Sequence, residues 1–91
     1  MTLFEKIIAR QIPADIVFED DQCLAFRDIA PQAPVHILVV PKQPIPRVGL
    51  AGDADKFTLG HLLLAAARVA QDTGIADTGY RLVINNGADA G

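Results

Sequence analysis

Ala25-Phe26-Arg27-Asp28-Ile29-Ala30-Pro31-Gln32-Ala33-Pro34-Val35-His36-Ile37-Leu38-Val39-Val40-Pro41-Lys42 joins three kinds of chain in one run. It opens on the end of a β-rich segment. It then crosses a loop whose two prolines exclude regular structure and stiffen the connection. It closes on His36-Ile37-Leu38-Val39-Val40, the most apolar strand of the sequence, bounded by Pro41. A run apolar on both faces is expected inside a sheet covered on both sides.

Outward from this stretch, Ile16-Val17-Phe18-Glu19 and Cys23-Leu24-Ala25-Phe26 are β-rich runs joined by the turn-like Asp20-Asp21, which reads as a hairpin. Upstream, Leu3, Phe4, Ile7 and Ile8 recur at helical spacing, with Thr2 as a possible N-cap and Pro13 as the stop. Downstream, a second helix is expected from an N-cap at Asp53, with Asp55 in its first turn, to a left-handed Gly74. At about 100° per residue, Thr58, His61, Ala65, Arg68 and Asp72 fall on its polar face. Leu59, Leu62, Leu63, Ala66, Val69 and Ala70 fall on the other, and Leu64 and Ala67 widen the apolar arc beyond what one core face requires. The surplus points to a partner surface, the alternative being close packing of the small Ala residues within the domain. Tyr80-Arg81-Leu82-Val83-Ile84-Asn85 reads as the last strand, followed by the Gly-rich Asn86-Gly87-Ala88-Asp89-Ala90-Gly91.

The 91 residues amount to one domain or less, since domains usually run to roughly 100–150 residues. A hydrophobic share of 51% and a charged share of 21% exclude a disordered chain. A net charge of −3 argues against a general nucleic-acid binder, whose affinity rests on neutralising phosphates. Cys23 is the only cysteine, so no internal disulfide and no Cys-x-x-Cys motif exists. Glu5 and Lys6 interrupt the apolar stretch that a signal peptide needs, and the longest apolar run, Leu62 to Ala67, is far short of the roughly 20 residues that span a bilayer. A cytoplasmic protein without a membrane partner is expected.

Candidates for chemistry are few. His36 and His61 share no ligand spacing with a third residue, so no metal site is expected, and neither of the common glycine-rich phosphate motifs is present. His36 is either a core or edge histidine satisfied by a backbone carbonyl or a proton-handling residue. Asp28 either caps a turn through its own backbone or accepts hydrogen bonds from sugar hydroxyls. The segment after Asn86 is either a plain turn or a nest of N–H groups for an anion.

The stretch from Ala25 to Lys42 closely resembles the histidine triad (HIT) family in its Hint-like branch. Ile7-Ile8-Ala9-Arg10-Gln11-Ile12-Pro13-Ala14, Phe18-Glu19-Asp20-Asp21, Leu59-Gly60-His61-Leu62 and Gly79-Tyr80-Arg81-Leu82-Val83-Ile84-Asn85-Asn86-Gly87 match it in order and spacing. The resemblance implies an α+β fold, an antiparallel sheet with two helices, in a homodimer that binds a purine nucleotide such as AMP or GMP. It further implies hydrolysis of nucleoside phosphoramidates without metal or other cofactor. Carried over by position, Phe4, Ile7, Phe26, Ile29 and Leu38 would line the purine pocket, and Asp28 would hold the ribose hydroxyls. Asn85 would lie beside the phosphate, Gly91 would open the phosphate loop, and His36 would support the catalytic histidines. Pocket chemistry agrees: apolar faces for a flat base, with polar groups at one end.

One departure accompanies the match. The family takes its name from a His-x-His-x-His strand whose middle histidine attacks the α-phosphorus, giving a nucleotidyl-histidine that water hydrolyses. Residues 1–91 hold no such pattern. They are therefore expected to form a single, C-terminally incomplete HIT domain with four of the usual five strands, inactive by itself as a hydrolase. The alternatives are a catalytically silent nucleotide-binding module, or an interaction protein working through its second helix.

Overall fold

The computed structural model describes residues 3–90, with side chains from residue 4 onward. Thr2, the expected cap, and Gly91 lie outside the described residues. The chain forms two compact units, Met1–Pro44 and Ile45–Gly91.

The first unit opens with helix α1 (Leu3–Ile8). Its stop is not Pro13, as expected, but Arg10, whose φ of 64° is left-handed. Arg10 N–H donates to Ile7 C=O at 3.1 Å and Gln11 N–H to Lys6 C=O at 2.8 Å, the paired bonds of a Schellman ending. A residue with a Cβ is disfavoured there by roughly 1–2 kcal/mol. Offsetting interactions come from the Arg10 guanidinium, which pairs with the Glu19 carboxylate. Glu19 also accepts Lys42 Nζ at 2.8 Å. The two cations hold its carboxyl below the ordinary range, Lys42 contributing most.

Strands β1 (Ile16–Glu19) and β2 (Cys23–Arg27) form the expected hairpin, with a register irregularity between Ile16 and Phe18. Asp20 makes the turn: its Oδ1 accepts the N–H groups of Gln22 and Cys23, each at 2.8 Å. Strand β3 (Ile37–Pro41) pairs antiparallel with β2, giving the order β1-β2-β3. Among the described residues the interior position expected for the His36–Val40 run thus belongs to β2, and β3 lies at an edge. The reason is visible in β2, where Cys23, Leu24, Ala25 and Phe26 are all buried and a ladder runs along both sides. Ile7, Leu24, Phe26 and Val40 form the core, with Ile8, Ile12, Ala14, Ile16 and Leu38 packed around them.

Cys23 is fully buried, and burial, with a smaller contribution from the Asp20 carboxylate, pushes its thiol from 9.0 up to about 11. Between those values the unfolded thiol has lost its proton while the folded one keeps it, so raising the pH favours unfolding. Urea midpoints are expected to fall across pH 9–11, and a thiol reagent at pH 8 to label Cys23 only once the protein is unfolded. A flat profile with rapid native labelling would contradict this placement.

In the second unit a 3-10 turn (Asp53–Asp55) leads into α2 (Lys56–Asp72). The acid that caps this entrance is Asp55, whose Oδ2 accepts Gly52 N–H at 2.9 Å; Asp53, the expected cap, is exposed. Gly74 ends the helix as expected, at φ 80°, with Ile75 N–H donating to Ala70 C=O at 3.0 Å. Ala65, Val69 and Ala70 are the buried residues of α2. Ala65 therefore belongs to the buried side rather than the polar face; its single methyl group carries little information about facing. Leu63 and Leu64 are exposed, as is Phe57, whose ring stacks on His61 at 6.0 Å.

Residues 80–86 correct the strand count. They run without regular structure, and Leu82, Val83 and Ile84 are exposed. β-branched residues favour a pleated surface, but a strand exists only with a ladder partner, and among the described residues this segment has none. Three strands are thus observed in place of the expected four. The segment is tied at its end, where Asn86 Oδ1 accepts Gly49 N–H at 2.6 Å. A Cβ at Gly49 would lie 2.7 Å from that oxygen, so a larger residue there would displace the Asn86 side chain. No described helix is long and apolar enough to cross a membrane.

Candidate functional site

The β2–β3 register orders the site. Leu24 pairs with Val40 and Phe26 with Leu38. Alternation along a strand puts these four side chains on one face of the sheet, and Ile7 of α1 joins the same cluster. Phe4, nearly one turn earlier on the helix and partly exposed, sets its ring 6.2 Å from that of Phe26 at an interplanar angle of 50°. Centroids at this separation fall within the range of favourable aromatic pairs.

One rung further, the strands have ended but pairing continues: Asp28 N–H donates to His36 C=O at 3.0 Å. By the same alternation Asp28 follows Phe26 and His36 precedes Leu38 on that face. Two apolar rungs are thus closed by a polar one. Asp28 Oδ1 accepts Ala30 N–H at 2.9 Å, the turn-capping role open to it from sequence. Its Oδ2 lies 3.4 Å from His36 Nε2, and both side chains are mostly covered. His36 Nδ1 accepts Gln32 N–H at 2.9 Å. The backbone partner of His36 is therefore a donor rather than a carbonyl.

That bond fixes the ring chemistry. With Nδ1 accepting, the proton of the neutral imidazole is on Nε2, the ring nitrogen that lies 3.4 Å from Asp28 Oδ2. Neither nitrogen then offers a free lone pair, so His36 in this state is no nucleophile. Asp28 retains acceptor capacity, since a carboxylate has about four lone-pair directions and Ala30 N–H takes up one of them.

Of the residues named from sequence, Phe4, Ile7, Phe26 and Leu38 come together around α1, and Asp28 and His36 close the same sheet face. Ile7 and Phe26 are nearly buried, at 6% and 4% exposure. Ile29, at 94%, stands outside that cluster on the loop after Asp28. Asn85 belongs to the second unit and is exposed. Sequence reasoning passed over Gln32, which fixes the tautomer of His36. Its contribution is a backbone N–H, on which the residue type carries no signal. Glu19 was also passed over as an anchor between Arg10 and Lys42, because an isolated glutamate at a strand end reads as solvated.

A family model described as the HIT domain matches residues 9–91. The chain is 60% identical to an uncharacterized HIT-like protein of Synechocystis, over 99% of this chain and 78% of that one. It is 48% identical to the purine nucleoside phosphoramidase of Escherichia coli, over 99% and 76% respectively. Among solved structures, a HIT family hydrolase from Legionella pneumophila superposes with a TM-score of 0.96 at 45% identity, covering all of this chain and 81% of that one. The expected α+β fold is thus matched by a neighbour of known structure. With the family model matching residues 9–91 and relatives of this identity aligned over nearly the whole length, the chain belongs to the histidine triad (HIT) family.

Proposed function

We propose that this chain holds a purine nucleotide for hydrolysis of a phosphorus–nitrogen bond, the base against Phe4, Ile7, Phe26, Ile29 and Leu38 and the ribose on Asp28. The observation that carries the reading is the order of the rungs: Leu24–Val40 and Phe26–Leu38, then Asp28 with His36. An apolar surface ending in a carboxylate with spare acceptor capacity suits a nucleoside, a flat base joined to a diol. The name of the Escherichia coli relative supports the reaction class. Asn85 and Gly91 are assigned to the phosphate end on family position alone. Apolar contacts grip adenine and guanine alike, so AMP and GMP are both ligands in this reading. The outward Leu63 and Leu64 of α2 support a homodimer as the assembled state.

Residues 1–91 contain two histidines. With His36 Nδ1 taken by Gln32 N–H and no His-x-His-x-His pattern among residues 1–91, these residues are read as holding the nucleotide and not as displacing at phosphorus. Protein purified from its native source is expected to convert adenosine phosphoramidate to AMP and ammonia. Residues 1–91 alone are expected to bind AMP and leave the phosphoramidate intact. Turnover by the 91 residues would make a histidine within them the nucleophile and overturn this division. Inert native protein would overturn the reaction class.

A further inference from the structure

We infer that His36 is a positioning residue for sugar recognition: it sets the Asp28 carboxylate so that the protein distinguishes a ribonucleotide from a 2′-deoxyribonucleotide. The inference rests on the reading of Asp28 as the ribose acceptor and assigns it a second residue. Three contacts carry it. The backbone bond from Asp28 N–H to His36 C=O closes the loop between them and brings the two side chains to one rung. Gln32 N–H, from within that loop, occupies Nδ1 at 2.9 Å and so directs the Nε2 proton outward. Nε2 lies 3.4 Å from Asp28 Oδ2, while Ala30 N–H holds Oδ1 at 2.9 Å.

One oxygen is thereby held by the loop backbone, and the other has the imidazole beside it. Left with Ala30 alone, the carboxylate could turn about its own axis, and its free acceptor directions would not coincide with the two hydroxyls of a cis-diol. Preorganisation of this kind raises affinity by removing an ordering cost at binding. It acts only on ligands that offer the hydroxyls. A purely structural role for His36 would weaken all nucleotides equally.

The two nitrogens can be separated by substitution. His36→Asn places an amide oxygen near the Nδ1 position, so it can still accept Gln32 N–H, but it does not reach Asp28. His36→Gln carries an amide donor near the Nε2 position. The experiment measures affinities for AMP and 2′-deoxy-AMP by calorimetry in native protein, both variants and Asp28→Asn. Native protein is expected to prefer AMP by about tenfold, the worth of one hydrogen bond to a charged acceptor. His36→Asn is expected to bring the preference to within about threefold of unity, and His36→Gln to retain most of it. Where the Asn variant does not fold, His36→Phe, which keeps the ring and has no nitrogen, takes its place with the same expected loss.

A full preference in the Asn or Phe variant, with the preference lost in Asp28→Asn, would overturn the inference and leave the ribose assignment standing. No preference in native protein, or a preference untouched by Asp28→Asn, would overturn the ribose assignment itself.

Discussion

Phe26→Ala is expected to destabilise the first unit by about 3–5 kcal/mol, the range for emptying a buried aromatic site. Phe26 is 4% exposed, takes the central strand β2, and touches the cluster of Ile7, Leu24 and Val40. The cavity would open beneath α1, a helix of six residues, too short to persist without tertiary packing. Because small domains are stable by only about 5–15 kcal/mol, much of the variant should be unfolded or molten under native conditions. Urea denaturation followed by circular dichroism reads this as a lowered midpoint. A change below about 1 kcal/mol would mean that Phe26 is not in the core. Phe26→Leu separates packing from recognition: it keeps most of the volume and should cost under about 1.5 kcal/mol. AMP affinity is still expected to drop several-fold, since the aromatic face is gone.

The second large effect is on affinity. Asp28→Ala is expected to weaken AMP binding by about 10- to 100-fold, the result of losing hydrogen bonds to a charged acceptor worth about 1.5–3 kcal/mol. The stability cost should be about 1 kcal/mol, from the lost Ala30 contact. The order is the reverse of that for Phe26→Ala, and the pair of variants therefore separates fold from site. Calorimetry with AMP measures the effect, and unchanged affinity would remove Asp28 from the site.

Much of this was legible before any coordinates. The hairpin is local: β-rich runs flank an aspartate whose side chain closes its own turn, so Asp20 fixes the geometry without distant help. Gly74 likewise ends α2 by its own conformational freedom. Three features were not legible because they depend on partners far along the chain. The interior place went to β2, since hydrophobicity shows that a strand is buried and not how many neighbours it has. Residues 80–86 have the composition of a strand but no ladder. Arg10 ends α1 in a conformation its residue type disfavours, and the compensating Glu19 is remote in sequence. For the site, residue types were readable and relationships were not. Asp28 and His36 each had two open readings, and both of Asp28's apply together: one oxygen caps the turn, while the carboxylate keeps acceptor directions for a ligand. That they share a rung came only from the β2–β3 register.

The most direct test of the account is a heteronuclear NMR titration of the 91-residue protein with AMP. Saturable shifts are expected at Phe4, Ile7, Phe26, Asp28, Ile29 and Leu38, with ribose 5-phosphate perturbing Asp28 and His36 but not the Phe4 ring. Unchanged spectra at millimolar AMP, or shifts confined to other residues, would contradict a nucleoside site on this sheet face.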